Sequence, residues 1–140
     1  MDWKLELVVI PVADVDRAKT FYTEKIGFHL DVDHRASDTF RVVQMTPPGS
    51  ACSISIGTGI TQVAPGSVQG LQLVVSDIVA ARAELVERGV EASELFHFAS
   101  GGQMPGPDPQ RGDYETFFSF NDLDGNSWLV QEVRRSEPGT

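Results

Sequence analysis

The sequence predicts an α+β fold made of two βαβββ modules in one chain. Three observations predict it. An apolar run closing on Val-x-Asp occurs twice, in residues 5–18 and again in residues 68–81. The two aspartates, Asp14 and Asp77, lie 63 residues apart, and Ala18 and Ala81 keep that offset. Behind each aspartate, apolar residues recur at helical spacing, followed by short β-branched or aromatic runs separated by turn residues.

Residues 5–12 are short and β-branched, which predicts a strand, and Pro11 suits its terminus better than a central ladder position. Asp14 reads as an N-cap whose carboxylate accepts from the first helical turn. Val15, Ala18, Phe21 and Tyr22 then share one helical face, and Gly27 stands where a left-handed residue would end the helix. Strands are expected at 28–34, 39–46 and 51–57, with Pro47-Pro48-Gly49 turning the chain between the last two. Module one is therefore 4–57, and the Gly- and Pro-bearing stretch 58–67 is a linker.

Module two, 68–133, repeats the order. Asp77 is the second N-cap, and Ile78, Ala81, Leu85 and Val86 form the buried helical stripe. The match slips by one residue at the helix end, where Gly27-Phe28 corresponds to Gly89-Val90. Strands are expected at 90–98, 114–122 and 127–133. Asp122-Leu123-Asp124-Gly125-Asn126 joins the last two as a hairpin turn. Residues 99–113 hold four Gly and three Pro without periodicity. Such a stretch is either a functional lid or disordered, and Met104 is its residue best suited to touch a ligand. The polar tail 134–140 is expected to fray. The whole is read as one domain.

Composition bounds the function. The 140 residues carry 11 Lys and Arg against 20 Asp and Glu, a formal net charge of −9. Such a chain repels phosphate backbones, which argues against nucleic-acid binding. With 41% apolar residues there is enough material for a core. A single cysteine and three histidines exclude an internal disulfide and a Cys-rich zinc site. The N-terminus lacks the features of a secretory signal, and no run approaches the roughly 18 apolar residues that span a bilayer. A cytoplasmic protein without membrane contact is expected.

The pattern from Val9 to Phe28 (Val-Ile-Pro-Val-x-Asp, then Ala, Phe-Tyr and Gly-Phe), the repeated Val-x-Asp-Ile at Val75 to Ile78, and the closing Asp122 to Trp128 resemble the vicinal oxygen chelate superfamily. This is the glyoxalase, bleomycin-resistance and extradiol-dioxygenase group. The resemblance covers about residues 4–133. It implies a mixed sheet curled into a cup, with the helices on its outer face and a small ligand or metal inside. It also implies a homodimer. Metal-dependent members place ligands on the first and last strand of each module. Here those positions fall on Leu7, Gly70 and Leu129, with the fourth somewhere in Ala51-Cys52-Ser53-Ile54-Ser55-Ile56. None is His, Glu, Asp or Gln, so neither a metal nor another cofactor is expected. Glu6 and Glu132 adjoin these positions, but strand alternation turns them to the other face.

If Leu7, Gly70 and Leu129 face the cup, then Leu5, Val9, Gln72, Val74, Ser127 and Gln131 do too. Val8, Ile10, Val12, Leu71, Leu73, Val75, Trp128 and Val130 then pack under the helices. The expected ligand-binding residues are Leu7, Val9, Phe40, Gln72, Val74, His97, Met104, Tyr114, Phe118, Leu129 and Gln131. Phe96, Phe98 and Phe117 lie near them in sequence, with their facing unsettled because Phe117 and Phe118 point to opposite sides. His97 is a candidate general base or hydrogen-bond donor. His34 reads as a salt-linked surface group, His29 as structural, Cys52 as a small buried residue, and Trp3 as a dimer contact or surface anchor.

A mostly apolar cup with two glutamines suits a hydrophobic or aromatic ligand. The expected function is that of a metal-free protein sequestering an aromatic or polycyclic natural product, as in bleomycin-type resistance. The alternative is a glyoxalase-like metal-dependent lyase or isomerase, or a natural-product biosynthetic enzyme.

Overall fold

The computed structural model describes residues 1–134, and the chain divides into two compact units. The first contains residues 1–68 together with 122–126; the second contains 69–121 and the chain from 127 onward. The tail expected to fray lies, from residue 135, outside the described residues.

In the first unit β1 (Leu7–Val9), β2 (His29–Ser37), β3 (Phe40–Thr46) and β4 (Ser53–Thr58) form a sheet in the order β1-β4-β3-β2. β1 runs parallel to β4, and the other pairs are antiparallel. Asp14 is extended and accepts the Arg17 N–H at 3.0 Å, opening α1 (Val15–Thr20) as the sequence predicts. The helix then widens into π-helical turns over Phe21–Ile26. It ends at Gly27, whose φ of +92° lies in the left-handed region. The Tyr22 carbonyl accepts both the Gly27 and Phe28 N–H groups.

Ala18, Phe21 and Tyr22 are buried, as are Ile10, Val43, Met45, Ile54 and Ile56 of the same unit. Each large side chain so buried contributes about 1.5–3 kcal/mol of apolar transfer. At the sheet edge the guanidinium of buried Arg41 spans Asp33 and Asp16, and Lys19 joins Asp33 at 2.7 Å. The Arg41 hydrogen bonds, then that of Lys19, hold the Asp33 carboxyl well below the usual carboxylate range.

Residues 122–126 complete this unit. Asp122 accepts four hydrogen bonds: from the Tyr22 hydroxyl at 2.6 Å, from the Asn126 side-chain amide, and from the backbone N–H groups of Asp124 and Asn126. Asn126 also donates to the Pro11 carbonyl at 2.8 Å and accepts the Val68 N–H. Gly66 has a φ of +80°, and a Cβ there would lie 2.1 Å from the Asp124 carbonyl oxygen, so the approach requires glycine.

In the second unit β5 (Leu71–Val75), β6 (Phe96–Ala99), β7 (Gly102–Pro105), β8 (Thr116–Asn121) and β9 (Ser127–Glu132) form a sheet in the order β5-β9-β8-β6-β7. β5 runs parallel to β9. Asp77 caps α2 (Ile78–Glu87) through the Ala80 N–H at 3.1 Å, and Gly89 comes after the helix with a φ of +88°. Ile78 and Leu85 are buried, as are Val130 and Trp128, which stacks on Phe120.

The α+β class holds, with one mixed sheet of four strands and one of five. β1 is shorter than expected, β2 runs on to Ser37, and three further elements differ. The strand expected at 90–98 is reduced to β6, with Ala92 forming only an isolated bridge to Phe120. The cause is Ser93, whose hydroxyl takes the Ser119 N–H and so replaces a backbone ladder bond. The run at 99–113 contributes a strand, because Gly102 at φ +111° lets the chain reverse and pair β7 with β6. β4 extends one residue into the expected linker, to Thr58. Among the described residues no helix is long and apolar enough to cross a membrane.

Candidate functional site

Strand alternation and the pairing registers define one face of the second sheet. Val74 pairs with Gln131 and Gln72 with Leu129; across β8, Gln131 pairs with Phe117 and Leu129 with Ser119. Phe117 pairs in turn with Phe96. Paired residues project to the same side, so Gln72, Val74, Leu129, Gln131, Phe117, Ser119, Phe96 and Phe98 share this face. The opposite face carries Leu71, Leu73, Val75, Trp128 and Val130, all at least half-buried.

The shared face is apolar, aromatic and open. Phe96 stacks on Phe117 with ring centroids 5.6 Å apart, and Phe98 meets Phe117 edge-on at 5.5 Å. Val74, Phe98 and Tyr114 are each about half exposed, at 51%, 54% and 48%. An exposed group of large apolar side chains on a folded sheet marks an interaction surface. A groove of about 460 Å³ adjoins it, lined by Ser93–Phe96, Gln103–Pro105 and Ser119.

The polar content of the face is a chain of amides. Gln131, only 8% exposed, donates its Nε2–H to the Tyr114 carbonyl at 3.1 Å. Its Oε1 accepts from Nε2 of the exposed Gln72. Tyr114 holds a φ of +68°, a conformation uncommon for a residue with a bulky side chain. Its own N–H is bonded to the Glu132 carbonyl at 2.8 Å.

The residues before Tyr114 are tied to the sheet. Asp108 N–H donates to the Thr116 hydroxyl, and the Asp108 carboxylate accepts the Gly112 N–H. Arg111, at φ +51°, binds the fully buried Glu132 carboxylate with Nε at 2.8 Å, and Glu132 also accepts the Ile78 N–H at the start of α2. The Arg111 hydrogen bonds outweigh burial and lower the Glu132 pKa.

The donor set does not fit the metal that the superfamily resemblance implies. Leu7 and Leu129 offer only aliphatic carbon, and Gly70 offers no side chain. Ser53 and Ser55, the β4 partners of Leu7 and Val9, offer neutral hydroxyls. Glu132 is consumed by Arg111 and α2 on the other side of its strand. Among the described residues no group of three or more His, Cys, Asp or Glu is placed to hold a metal ion.

The expected site residues divide by unit and by face. Gln72, Val74, Leu129 and Gln131 come together on the open face, with Tyr114 joined through its carbonyl. Leu7, Val9 and Phe40 share one face of the first sheet, by way of Ser53, Ser55 and Gln44. There the Ser53 hydroxyl accepts from the Gln44 amide and bonds the Thr46 hydroxyl. Phe118 is placed otherwise: it pairs with Val130 on the helix-covered side and is fully buried. Phe117 takes the place on the open face. His97 pairs with Met104 and Thr116, on the side opposite Phe117, and its Nδ1 lies 2.7 Å from the Gly106 carbonyl. That contact, with Nδ1–H donating, fastens the β6–β7 hairpin. Met104 is exposed on that side and borders the groove. Phe96, Phe98 and Phe117, whose facing the sequence leaves unsettled, all belong to the open face. The i, i+2 spacing in Phe96-His97-Phe98 is the one sequence signal for it.

Comparison with known proteins agrees with this architecture. The sequence model of the Glyoxalase/Bleomycin resistance protein/Dioxygenase superfamily matches residues 4–130. TnmS3, an antibiotic binding protein from Streptomyces sp. CB03234, is 30% identical with a TM-score of 0.74, over 94% of this chain and 97% of its own. A glyoxalase/bleomycin resistance protein from the same Streptomyces is 30% identical with a TM-score of 0.71, over 92% of this chain and 100% of its own. An uncharacterized protein of Bacillus subtilis (strain 168), YetH, is 28% identical over 128 residues, 89% of this chain and 94% of its own. The chain belongs to the glyoxalase/bleomycin resistance protein/dioxygenase superfamily.

Proposed function

We propose that this protein is a metal-free binder of a flat aromatic or polycyclic small molecule of the natural-product type, which it sequesters without turnover. The observation that carries the reading is the open face of the second sheet. The exposed Phe98 and Val74 supply apolar area for a ring system, with Phe98 held edge-on by Phe117 and Phe117 stacked on Phe96, and the two glutamines supply orientation. The likeness to TnmS3, an antibiotic binding protein, supports the same class of ligand. The net charge of −9 favours neutral or cationic ligands over anions. In this reading the protein is cytoplasmic and works as a homodimer.

Titration calorimetry against a panel of polycyclic quinones tests it, together with elemental analysis and melting curves with and without EDTA. The expected result is saturable binding, a raised melting temperature, unchanged ligand after long incubation, and no effect of EDTA. Stoichiometric divalent metal whose removal lowers the melting temperature, or a ligand converted to product, would overturn the reading.

A further inference from the structure

We infer that Gln72 selects ligands carrying a hydrogen-bond donor, a hydroxyl or N–H group beside the aromatic ring, and that Gln131 is the positioning residue that sets this preference. The inference rests on the binding reading above and adds the polarity of the ligand.

The starting point is a group with no freedom of choice. A backbone carbonyl has only lone pairs, so it can accept and never donate. The Tyr114 carbonyl is fixed by its left-handed backbone and by the Tyr114 N–H bond to Glu132. Gln131 must therefore turn its NH₂ end toward Tyr114, which leaves its Oε1 toward Gln72. An oxygen there demands a donor, so Gln72 must present Nε2 inward. The remaining end of the Gln72 amide is Oε1. It accepts no hydrogen bond from any described residue, and its side chain is exposed on the same face as Val74 and Leu129.

An isolated glutamine can rotate its amide to suit either a donor or an acceptor. This one cannot do so without placing two oxygens, or two NH₂ groups, against each other. The amide chain thus fixes which end of an ambivalent side chain is the acceptor and points its oxygen outward. A ligand with a hydroxyl or amine at that point gains a bond. A ligand with an ether or carbonyl there meets an oxygen it cannot pair with.

The test compares two probes that differ only in the donor: 2-(hydroxymethyl)anthraquinone and 2-(methoxymethyl)anthraquinone. Titration calorimetry should show the hydroxymethyl compound binding about fivefold to tenfold more tightly to the native protein. Gln72→Met should bring the two affinities together. Gln131→Met should also shrink the ratio, because it frees the Gln72 amide to rotate. Melting curves of both variants would show that each remains folded, and Gln72→Met, at an exposed position, carries the test if Gln131→Met does not fold. Equal binding of both probes by the native protein, or a ratio unchanged in Gln72→Met, would overturn the inference while leaving the binding reading intact. Binding of neither probe would overturn the binding reading, and the inference with it.

Discussion

The cluster around residues 122–126 in the first unit and the open face of the second both join side-chain amides to aromatic side chains. In the first, Asp122 and Asn126 spend their side chains on Tyr22, Pro11, Val68 and each other. In the second, the amide chain stops at the surface with the Gln72 Oε1 free of described partners, beside rings that are partly exposed. A closed network gives stability and leaves nothing for a ligand. An open one gives up some stability and keeps a recognition group. The strings that carry the family resemblance, Ile-Pro-Val through Phe-Tyr and Asp-Leu-Asp-Gly-Asn, are the ones that meet in the closed cluster. They identify the fold and do not report the ligand.

This contrast can be broken or sharpened experimentally. Asp122→Ala removes the acceptor of four hydrogen bonds and should lower stability by about 3–5 kcal/mol in urea denaturation. A loss below about 1 kcal/mol would show that the cluster is not what holds the first unit together. Glu132→Gln should cost about 2–3 kcal/mol, because it weakens the pairing with Arg111 at a fully buried site.

The same residue predicts a pH response. Glu132 and Asp33 both have depressed folded-state pKa values, caused first by hydrogen bonds from Arg111 and Arg41 respectively. Their contribution is present above the unfolded carboxylate pKa and is lost as pH falls through the folded values. The melting temperature should therefore drop as pH is lowered from about 5 to about 3. Asp33→Asn and Glu132→Gln should each make that drop shallower.

On the open face, Phe98→Ala should weaken an aromatic ligand by about 1–2 kcal/mol while changing stability by less than about 1 kcal/mol, since its ring is already half exposed. A large stability loss with unchanged affinity would reverse the assignment of this ring. The smallest effect is expected at the helix caps. Asp14→Ala and Asp77→Ala should each cost about 1 kcal/mol in thermal denaturation, equally in the two units despite their other differences.

Much of the fold is legible in short-range chemistry. Asp14 and Asp77 cap because a helical run begins immediately after each and offers its free N–H groups within one turn, and Gly27 ends its helix by its own φ. Gln72, Val74, Leu129 and Gln131 can be grouped because a strand alternates with period two, whatever its neighbours do. The choice between Phe117 and Phe118 needs more, namely the register of β8 on β9, which the span of the 122–126 turn sets. β7 is hidden in the sequence because Gly and Pro dominate its surroundings, and its pairing with β6 rests on backbone bonds. The Arg111–Glu132 pair joins residues from a loop and a strand that no periodicity connects.

The position of the 122–126 turn in the chain has a consequence for how the protein comes into being. Tyr22 waits for a partner 100 residues later, and Pro11 for one 115 residues later. A ribosome that has released residues 1–68 has released the segments of four strands and a helix whose buried Tyr22 hydroxyl still lacks Asp122, and a Pro11 carbonyl that still lacks Asn126. Those partners arrive only with the final hairpin. Contacts of such separation slow folding, because the intervening chain must be closed into a loop before they form. The first unit to leave the ribosome is thus completed among the last, and truncation near the C-terminus would injure the N-terminal half.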